Sequence, residues 1–296
     1  MKRLSIILLV ASFSLASCAP AAIPTEPVTP PRIREKDGMM MIFVPAGPFT
    51  MGITAEQALA DCQKFPKDCY QNSFNNEQPP HRVNLDGYWI DSTEVTNSMY
   101  ARCVRAGACQ PPFDNSSSTR TSYYGNSRYS DYPVVYVDWA KARDYCRWAG
   151  ASLPTEAEWE KAERGTDGRT YPWGNSPPTC QLLNFQPVSG SCVGDTSAVG
   201  SYPSGASPYG VLDMVGNVWE WLADWYSETY YASSPSNNPT GPTSGMYHVL
   251  RGGSWAGGEG LVRASNRDWE NPMLSANFIG FRCSRGLNNS TASFFP

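Results

Sequence analysis

Cysteine is the residue that most constrains how this chain of 296 residues can fold. It has nine cysteines, and the first, Cys18, follows a segment with the features of an export signal. The other eight are an even number, as expected for a disulfide-braced domain in an oxidising compartment. Pairing neighbours first leaves one long-range pair: Cys62 with Cys69, Cys103 with Cys109, Cys180 with Cys192, and Cys146 with Cys283. Roughly a hundred pairings of eight cysteines exist, so counting alone leaves the connectivity open.

The export signal has three parts. Lys2 and Arg3 supply the positive start, and an apolar run over residues 4–15 is too short to span a bilayer as a helix. Small residues then precede Cys18. We predict a lipoprotein signal peptide over residues 1–17 and acylation of Cys18, which would attach the chain to a membrane. An ordinary secretory peptide followed by a chance cysteine is the alternative.

The next segment is predicted to be a tether. Residues 18–36 hold the cysteine and five prolines with no apolar period, a composition typical of extended polyproline II. Ala19 after the cysteine resembles Gram-negative lipoproteins of the outer membrane. We therefore expect a lipid-anchored protein of the cell envelope, in the outer membrane if the source has one.

Residues 37–286 are predicted to form one domain, followed by a C-terminal tail over residues 287–296. This length allows a sizeable core. The net charge of −4 offers no basic face for nucleic acid. Twenty-five glycines, twenty-five prolines and few long helical periods favour a loop-rich α+β fold.

Local signals predict two helices clearly. Asp138 can cap a helix over residues 139–149, and Thr155 with Glu158 forms a capping box for a helix that Gly165 ends. A third helix is expected after Thr96, up to Gly107. Strands are expected over residues 41–44, 49–52, 249–255 and 278–284.

Six motifs stand in order along the chain: Phe43-Val44-Pro45-Ala46-Gly47, Glu94-Val95-Thr96-Asn97, Leu153-Pro154-Thr155-Glu156-Ala157-Glu158-Trp159-Glu160, Gly216-Asn217-Val218-Trp219-Glu220-Trp221, Arg251-Gly252-Gly253-Ser254-Trp255 and Gly280-Phe281-Arg282-Cys283. Together they resemble the formylglycine-generating enzymes, also called sulfatase-modifying factors, over roughly residues 38–286. The resemblance implies a C-type-lectin-like fold with little regular secondary structure. It also implies a disulfide between Cys146 and Cys283.

In active members of that family, two cysteines after the Arg-Gly-Gly-Ser motif bind copper(I), which converts a substrate cysteine to formylglycine. The matching positions here are Gly257 and Val262, and neither can ligate a metal. Trp219 and Ser254 match residues that line the family's active site. We therefore expect no copper and assign no catalytic residue. The related hercynine oxygenases bind iron through histidines of an added helical domain, for which this chain has no room.

The resemblance also implies two structural calcium sites, since carboxylate and carbonyl oxygens suit that ion. The first set is Glu94, Asp213 and the carbonyls of Gly216 and Val218. The second set is Asn184, the carbonyl of Phe185, Asp195 and the carbonyl of Ser197. The alternative is that these acids cap turns or pair with arginines.

Residues 255–277 match the part of the fold that lines the family's ligand-binding face. Its candidate contact residues are Trp255, Glu259, Asn266, Asp268 and Trp269. In some lectin-like proteins of this type, diversity-generating retroelements vary this segment. A plain surface loop is the alternative.

Two groups of residues have competing interpretations. Arg263 and Arg267 could bind a ligand carboxylate, or they could pair with buried acids such as Glu220. The three tryptophans of residues 219–225 could stack on sugars or belong to the core, and such a dense run favours the core.

These observations favour an exported, non-catalytic lipoprotein that presents a binding or accessory face to a peptide, protein or glycan. The sequence has no other nucleophile or phosphate-binding motif. Three alternatives remain: a formylglycine-generating oxidase, a retroelement-diversified lectin-like binding protein, and a purely structural envelope protein.

Overall fold

The computed structural model describes residues 29–64 and 74–287. The predicted signal peptide, Cys18 and the predicted Cys62–Cys69 disulfide lie outside what it describes. Within the described ranges, no helix is both long enough and apolar enough to cross a membrane.

Short strands and short helices alternate with long irregular segments. The strands are β1 (Arg32–Ile33), β2 (Met40–Val44), β3 (Gly47–Met51), β4 (His81–Leu85), β5 (Tyr88–Asp91), β6 (Trp219–Trp225), β7 (His248–Arg251), β8 (Asp268–Glu270), β9 (Ile279–Gly280) and β10 (Ser284–Gly286). The helices are α1 (Ala55–Lys64), α2 (Asn97–Arg105), α3 (Trp139–Trp148) and α4 (Glu156–Arg164). This architecture confirms the predicted loop-rich α+β class.

The strands form three sheets, with orders β1-β2-β5-β10, β3-β4 and β8-β7-β6-β9. All pairings are antiparallel except that of β6 with β9, which is parallel. The end of the chain ties two sheets together, because β9 lies beside β6 and β10 lies beside β5. The first and last strands therefore form the two edges of one sheet.

The domain begins earlier than predicted. The tether was expected to reach residue 36, but Arg32 pairs with Met41 as part of β1. The Arg34 guanidinium is buried and forms ion pairs with Asp37 at 2.6 Å and Asp91 at 2.7 Å. These buried ion pairs hold the segment in the fold, so the boundary lies before residue 37.

The local predictions for the helices are confirmed. The Asp138 carboxylate accepts a hydrogen bond from the Lys141 amide at 2.8 Å at the start of α3. Thr155 and Glu158 form the capping box of α4, and Gly165 ends that helix at φ 70°. Helix α2 follows Thr96 and ends at Arg105.

Two predicted strands are shorter than expected. The strand predicted over 249–255 ends at Arg251, because Gly252 and Gly253 turn the backbone with φ 95° and 73°. The strand predicted over 278–284 is divided between β9 and β10. Strand β6 was not predicted, since its dense tryptophans were interpreted only as core or sugar-stacking residues.

Three disulfides are formed between described residues, and each confirms a pair expected from the sequence. They are Cys103–Cys109, Cys146–Cys283 and Cys180–Cys192. Cys146 on α3 and Cys283 before β10 are both fully buried in a core cluster that includes Tyr145, Trp221 and Phe281. This bridge therefore ties α3 to the end of the domain inside the core.

Candidate functional site

The segment after β7 carries the positions where the family resemblance placed copper ligands. Ser254 is buried, and its carbonyl accepts a hydrogen bond from the Gly257 amide at 2.9 Å. Val262 is fully buried in an apolar cluster with Tyr171, Leu183 and Phe185 among its members. Every cysteine whose side chain is described lies in a disulfide. The described part of this segment therefore offers no thiolate.

Trp219 lies at the start of β6, where its amide donates to the Phe278 carbonyl at 2.8 Å. Its side chain is 5 % exposed and belongs to the core cluster, as does Trp221. Trp225, the last of the three, stacks on the His248 imidazole with ring centres 3.8 Å apart. The core interpretation of these tryptophans is therefore confirmed for Trp219 and Trp221.

The first predicted calcium set brings two buried carboxyl groups together. Glu94 lies between β5 and α2, and Asp213 lies before β6 with φ 52°. Neither carboxylate oxygen of Glu94 has a hydrogen-bond partner, although the side chain is fully buried. Burial and then the adjacent Asp213 charge raise the pKa of Glu94 well above its usual range. Burial also raises the pKa of Asp213 to about 6.

The Arg282 charge acts to lower the pKa of both carboxyl groups, but its guanidinium hydrogen-bonds to other acceptors. The Arg282 guanidinium donates to the Glu220 carboxylate at 2.7 Å and to the Asp213 backbone carbonyl at 2.9 Å. Gly216 and Val218 follow Asp213 in the same loop. An unpartnered buried carboxylate beside a second carboxyl group and backbone carbonyls is a donor set that suits a hard divalent cation.

The second predicted calcium set differs from the first because its carboxylate already has hydrogen-bond donors and an arginine beside it. The Asn184 amide donates to the Asp195 backbone carbonyl at 2.8 Å, and the Phe185 carbonyl accepts from the Cys192 amide at 3.1 Å. The Asp195 carboxylate accepts from Ser117 and forms an ion pair with Arg120 at 3.1 Å.

Burial acts to raise the pKa of Asp195, but hydrogen bonds from Ser117 and Thr119 lower it below its usual range. At Ser197, the amide donates to the Asn217 side chain at 2.9 Å. The Asp195 carboxylate is therefore already compensated, and this set suits a cation less well than the first.

Arg263 and Arg267 pair with buried acids, but not with Glu220. Arg263 binds Glu77 at 2.7 Å, and Arg267 binds Glu156 at 2.6 Å. Glu220 is the partner of Arg282 instead. Both guanidinium groups are buried, so neither arginine presents its charge to a ligand.

One face of α4 is buried and carries three acids, which was not predicted from the sequence. Glu160 pairs with both Arg164 and Arg251, while Glu156 lies near Arg251 and pairs with Arg267. Glu163 is also fully buried, and neither of its carboxylate oxygens has a partner. The available signal was the spacing of four and three residues, which places the three acids on one helix face.

The predicted ligand face is only partly at the surface. The prediction for Asn266 was wrong, because the residue is buried: its backbone carbonyl accepts from Arg251, and its side-chain amide donates to the Leu261 carbonyl at 3.1 Å. Trp255 and Glu259 are half-buried. The Trp255 indole donates to the Asn277 carbonyl at 3.3 Å.

Trp269 is the most exposed of the face residues. Its side chain is 39 % exposed, and its ring stacks on Tyr226 with centres 4.2 Å apart. Asp268 is half-buried beside it, and Glu270 follows on the same edge strand, β8. The structure therefore leaves a partly exposed aromatic platform, Trp269 on Tyr226, at the edge of the third sheet.

Residues 26–287 match the family described as the sulfatase-modifying factor enzyme 1-like domain. The chain belongs to this family. The formylglycine-generating enzyme of Streptomyces coelicolor is 32% identical to it, over 95% of this chain and 99% of that protein. The predicted family is thus confirmed.

Other relatives are longer than this sulfatase-modifying-factor-like chain. The hercynine oxygenase of Mycolicibacterium smegmatis is 35% identical over 81% of this chain, and the chain spans 60% of its length. The chain spans 38% of the serine/threonine-protein kinase pkn1 of Chlamydia caviae, which is 33% identical.

Among the residues described, no three His, Cys, Asp or Glu side chains form a group suited to a metal ion.

Two solved structures share the fold. PvdO from Pseudomonas aeruginosa has a TM-score of 0.71 and 26% identity, and the match covers 89% of this chain and 100% of PvdO. Treponema denticola variable protein 1 has a TM-score of 0.64 and 23% identity over 88% of this chain and 100% of its own. The second likeness concerns the fold alone.

Proposed function

We propose that this chain is a non-catalytic member of the sulfatase-modifying factor family that presents a binding face at the cell envelope. One observation carries the proposal. Gly257 has no side chain, and Val262 is buried among apolar groups, at the two positions where the family resemblance puts copper-binding cysteines. Copper(I) prefers soft thiolate ligands, so these positions cannot perform the family's oxidation.

The binding face centres on Trp269. A partly exposed ring held against Tyr226 offers a rigid apolar surface at the edge of the third sheet. Rigid aromatic groups bind at low cost in conformational entropy. The ligand is a peptide, protein or glycan.

Calcium is the proposed cofactor, with a structural role. Glu94 and Asp213 would hold it together with the carbonyls of Gly216 and Val218. The ion would supply positive charge to two buried carboxyl groups, of which Asp213 accepts a hydrogen bond from the Gly200 amide and Glu94 has none from a neighbouring group. The Asp195 set, already compensated by Arg120, carries less of this proposal.

The envelope location rests on Cys18. Replacing this residue, as Cys18→Ala, should abolish incorporation of radiolabelled palmitate and move the protein from the membrane fraction to the soluble fraction of the envelope. Ser17→Ala keeps a small residue before the cysteine and serves as the matched control, with labelling retained. Unchanged labelling of Cys18→Ala would refute the anchor.

An oxidase is the second candidate, favoured by the 32% identity to the Streptomyces coelicolor enzyme across 95% of this chain. The test incubates the chain with copper(I), oxygen and a cysteine-containing sulfatase peptide, and measures formylglycine by mass spectrometry. The Streptomyces enzyme is the positive control. We expect no conversion above a metal-free sample. Conversion would overturn the non-catalytic proposal.

A further inference from the structure

A hollow of about 420 Å³ lies on the four-stranded sheet β1-β2-β5-β10. Strands β1 and β10 are the two edges of that sheet. We call it the basic hollow and define it by the following lining residues: Arg32, Ile33, Lys36, Trp89, Arg285 and Leu287. It lies apart from the Trp269 platform, which belongs to another sheet.

The charge of the hollow is opposite in sign to that of the whole chain, which is −4. Arg32 and Lys36 are exposed, and the acid in the lining is Glu35. Arg34 also lines the hollow, but its charge is compensated by Asp37 and Asp91. A patch of this kind attracts anions despite an acidic protein.

Aromatic rings hold the two exposed cations in place. The Arg32 guanidinium lies 4.7 Å from the centre of the Trp89 ring, and the Lys36 ammonium lies 5.4 Å from that of Trp148. Such contacts favour a cation over a ring face. The two positive charges are therefore positioned at the surface rather than dispersed on unrestrained side chains.

Apolar side chains lie exposed at the same place. Ile33, one of the lining residues, is 57 % exposed. Leu287 at the other edge is 51 % exposed. Cations beside exposed aliphatic groups are the combination that binds the interface of an anionic bilayer.

The chain leading into β1 limits where this surface can go. Whatever its conformation, the chain from Cys18 to Thr29 cannot span more than roughly 40 Å. If Cys18 carries acyl chains, as the proposed function requires, the basic hollow is held near the bilayer at a high effective concentration.

We propose that the basic hollow docks onto anionic phospholipid headgroups, with Ile33 and Leu287 entering the headgroup region. The domain then lies on the membrane in a fixed orientation instead of moving freely on its tether. Docking is additional to acylation, because it uses residues of the folded domain rather than the anchor.

The test uses the processed chain, residues 18–296, with Cys18→Ser so that it carries no acyl group. Its partition onto vesicles is measured by sedimentation at low salt, with excess vesicles of phosphatidylcholine alone or of phosphatidylcholine mixed with phosphatidylglycerol. We expect binding to the mixed vesicles and loss of that binding at high salt.

The double variant Arg32→Gln with Lys36→Gln should bind roughly 25-fold more weakly, at about fivefold for each charge near an anionic surface. The matched control, Arg82→Gln with Arg128→Gln, removes the same charge from exposed positions outside the hollow and should keep the affinity. A thermal melt of each variant checks folding. Lys36→Glu alone is a second variant should the double variant unfold.

No binding to mixed vesicles, equal binding to both vesicle types, or an equal loss in the control variant would overturn the proposal. Because the protein tested has no acyl group, these results are independent of whether Cys18 is acylated in the cell. The palmitate experiment decides that point separately.

Discussion

Glu94 and Asp213 bury their carboxyl groups beside one another, so that each affects the pKa of the other. The two residues are far apart in sequence, and burial disfavours the charged form of both. Burial is the main reason that the pKa of each is raised, and the charge of Asp213 raises the pKa of Glu94 further.

Calcium should therefore stabilise the protein, by about 3 kcal/mol at a hundredfold excess over its Kd. Glu94→Gln should remove this gain, because it removes a ligand charge. In chelator, the same variant should be at least as stable as the parent, since it removes an uncompensated carboxylate. The measurement is chemical denaturation with calcium or with chelator. Equal calcium stabilisation of the Glu94→Gln protein would contradict the assignment.

Glu163 should be replaceable with a gain in stability. Burial raises its pKa well above the usual range, and no group donates to its oxygens. Glu163→Met should stabilise the fold by about 1–3 kcal/mol at neutral pH, because an unsatisfied buried polar group is removed. The folded pKa of Glu163 lies above its unfolded value, so this group lowers the free energy of unfolding as pH rises above about 4. The stability gained by Glu163→Met should therefore grow over that range.

The control for this change lies on the same helix. Glu158→Met removes the side chain that completes the capping box and should cost about 1 kcal/mol. The two substitutions are chemically identical, so opposite signs in urea denaturation isolate the effect of hydrogen-bond partners. A loss of stability in both would refute the assignment of Glu163.

His248 should make stability depend on pH in mildly acidic solution. Burial between Trp139 and Trp225 lowers its pKa to about 4, against about 6.5 in the unfolded chain. Between these two values the unfolded state binds more protons than the folded state. The contribution of neutral His248 to the free energy of unfolding is therefore fully present above about pH 6.5 and is lost as pH falls toward 4. His248→Phe keeps the aromatic stack. It should reduce the slope of unfolding free energy against pH over that window by the equivalent of about one bound proton. An unchanged slope would exclude His248 as its source.

The Cys146–Cys283 bridge should contribute more stability than Cys103–Cys109. The sequence separations are 137 and 6, so the chain-entropy model gives about 5 and about 2 kcal/mol. Paired alanine substitutions at each bridge, compared by guanidinium denaturation, measure the difference. Equal losses would show that loop entropy does not govern these bridges.

Local sequence was sufficient to predict the helix ends. Asp138, Thr155 with Glu158, and Gly165 act on backbone groups within a few residues, so their effect can be predicted without the fold. The family motifs likewise identified Glu94 and Asp213 as neighbours. The helix ends could be predicted because they depend on local chemistry. The pairing of Glu94 with Asp213 could be predicted because the motif pattern spans the domain.

Partners distant in sequence could not be predicted in this way. Arg267 binds Glu156 rather than Glu220, although 111 residues separate the pair. Asn266 was expected at the surface, but its carbonyl accepts from the buried Arg251 and its side chain turns inward. Which acid reaches which arginine depends on how the third sheet packs on α4, and no single segment contains that information.

Arg34 determines how the domain would respond to mechanical load. Strand β1 has two residues and lies at a sheet edge, so tension on a lipid-anchored N-terminus would detach it first. The next residue inward is Arg34, whose ion pair with Asp91 transfers the pull to β5 in the interior of the sheet. If the N-terminus is held at a membrane, as proposed, force on it would act on the buried Arg34–Asp91 ion pair as well as on the two backbone pairs of β1.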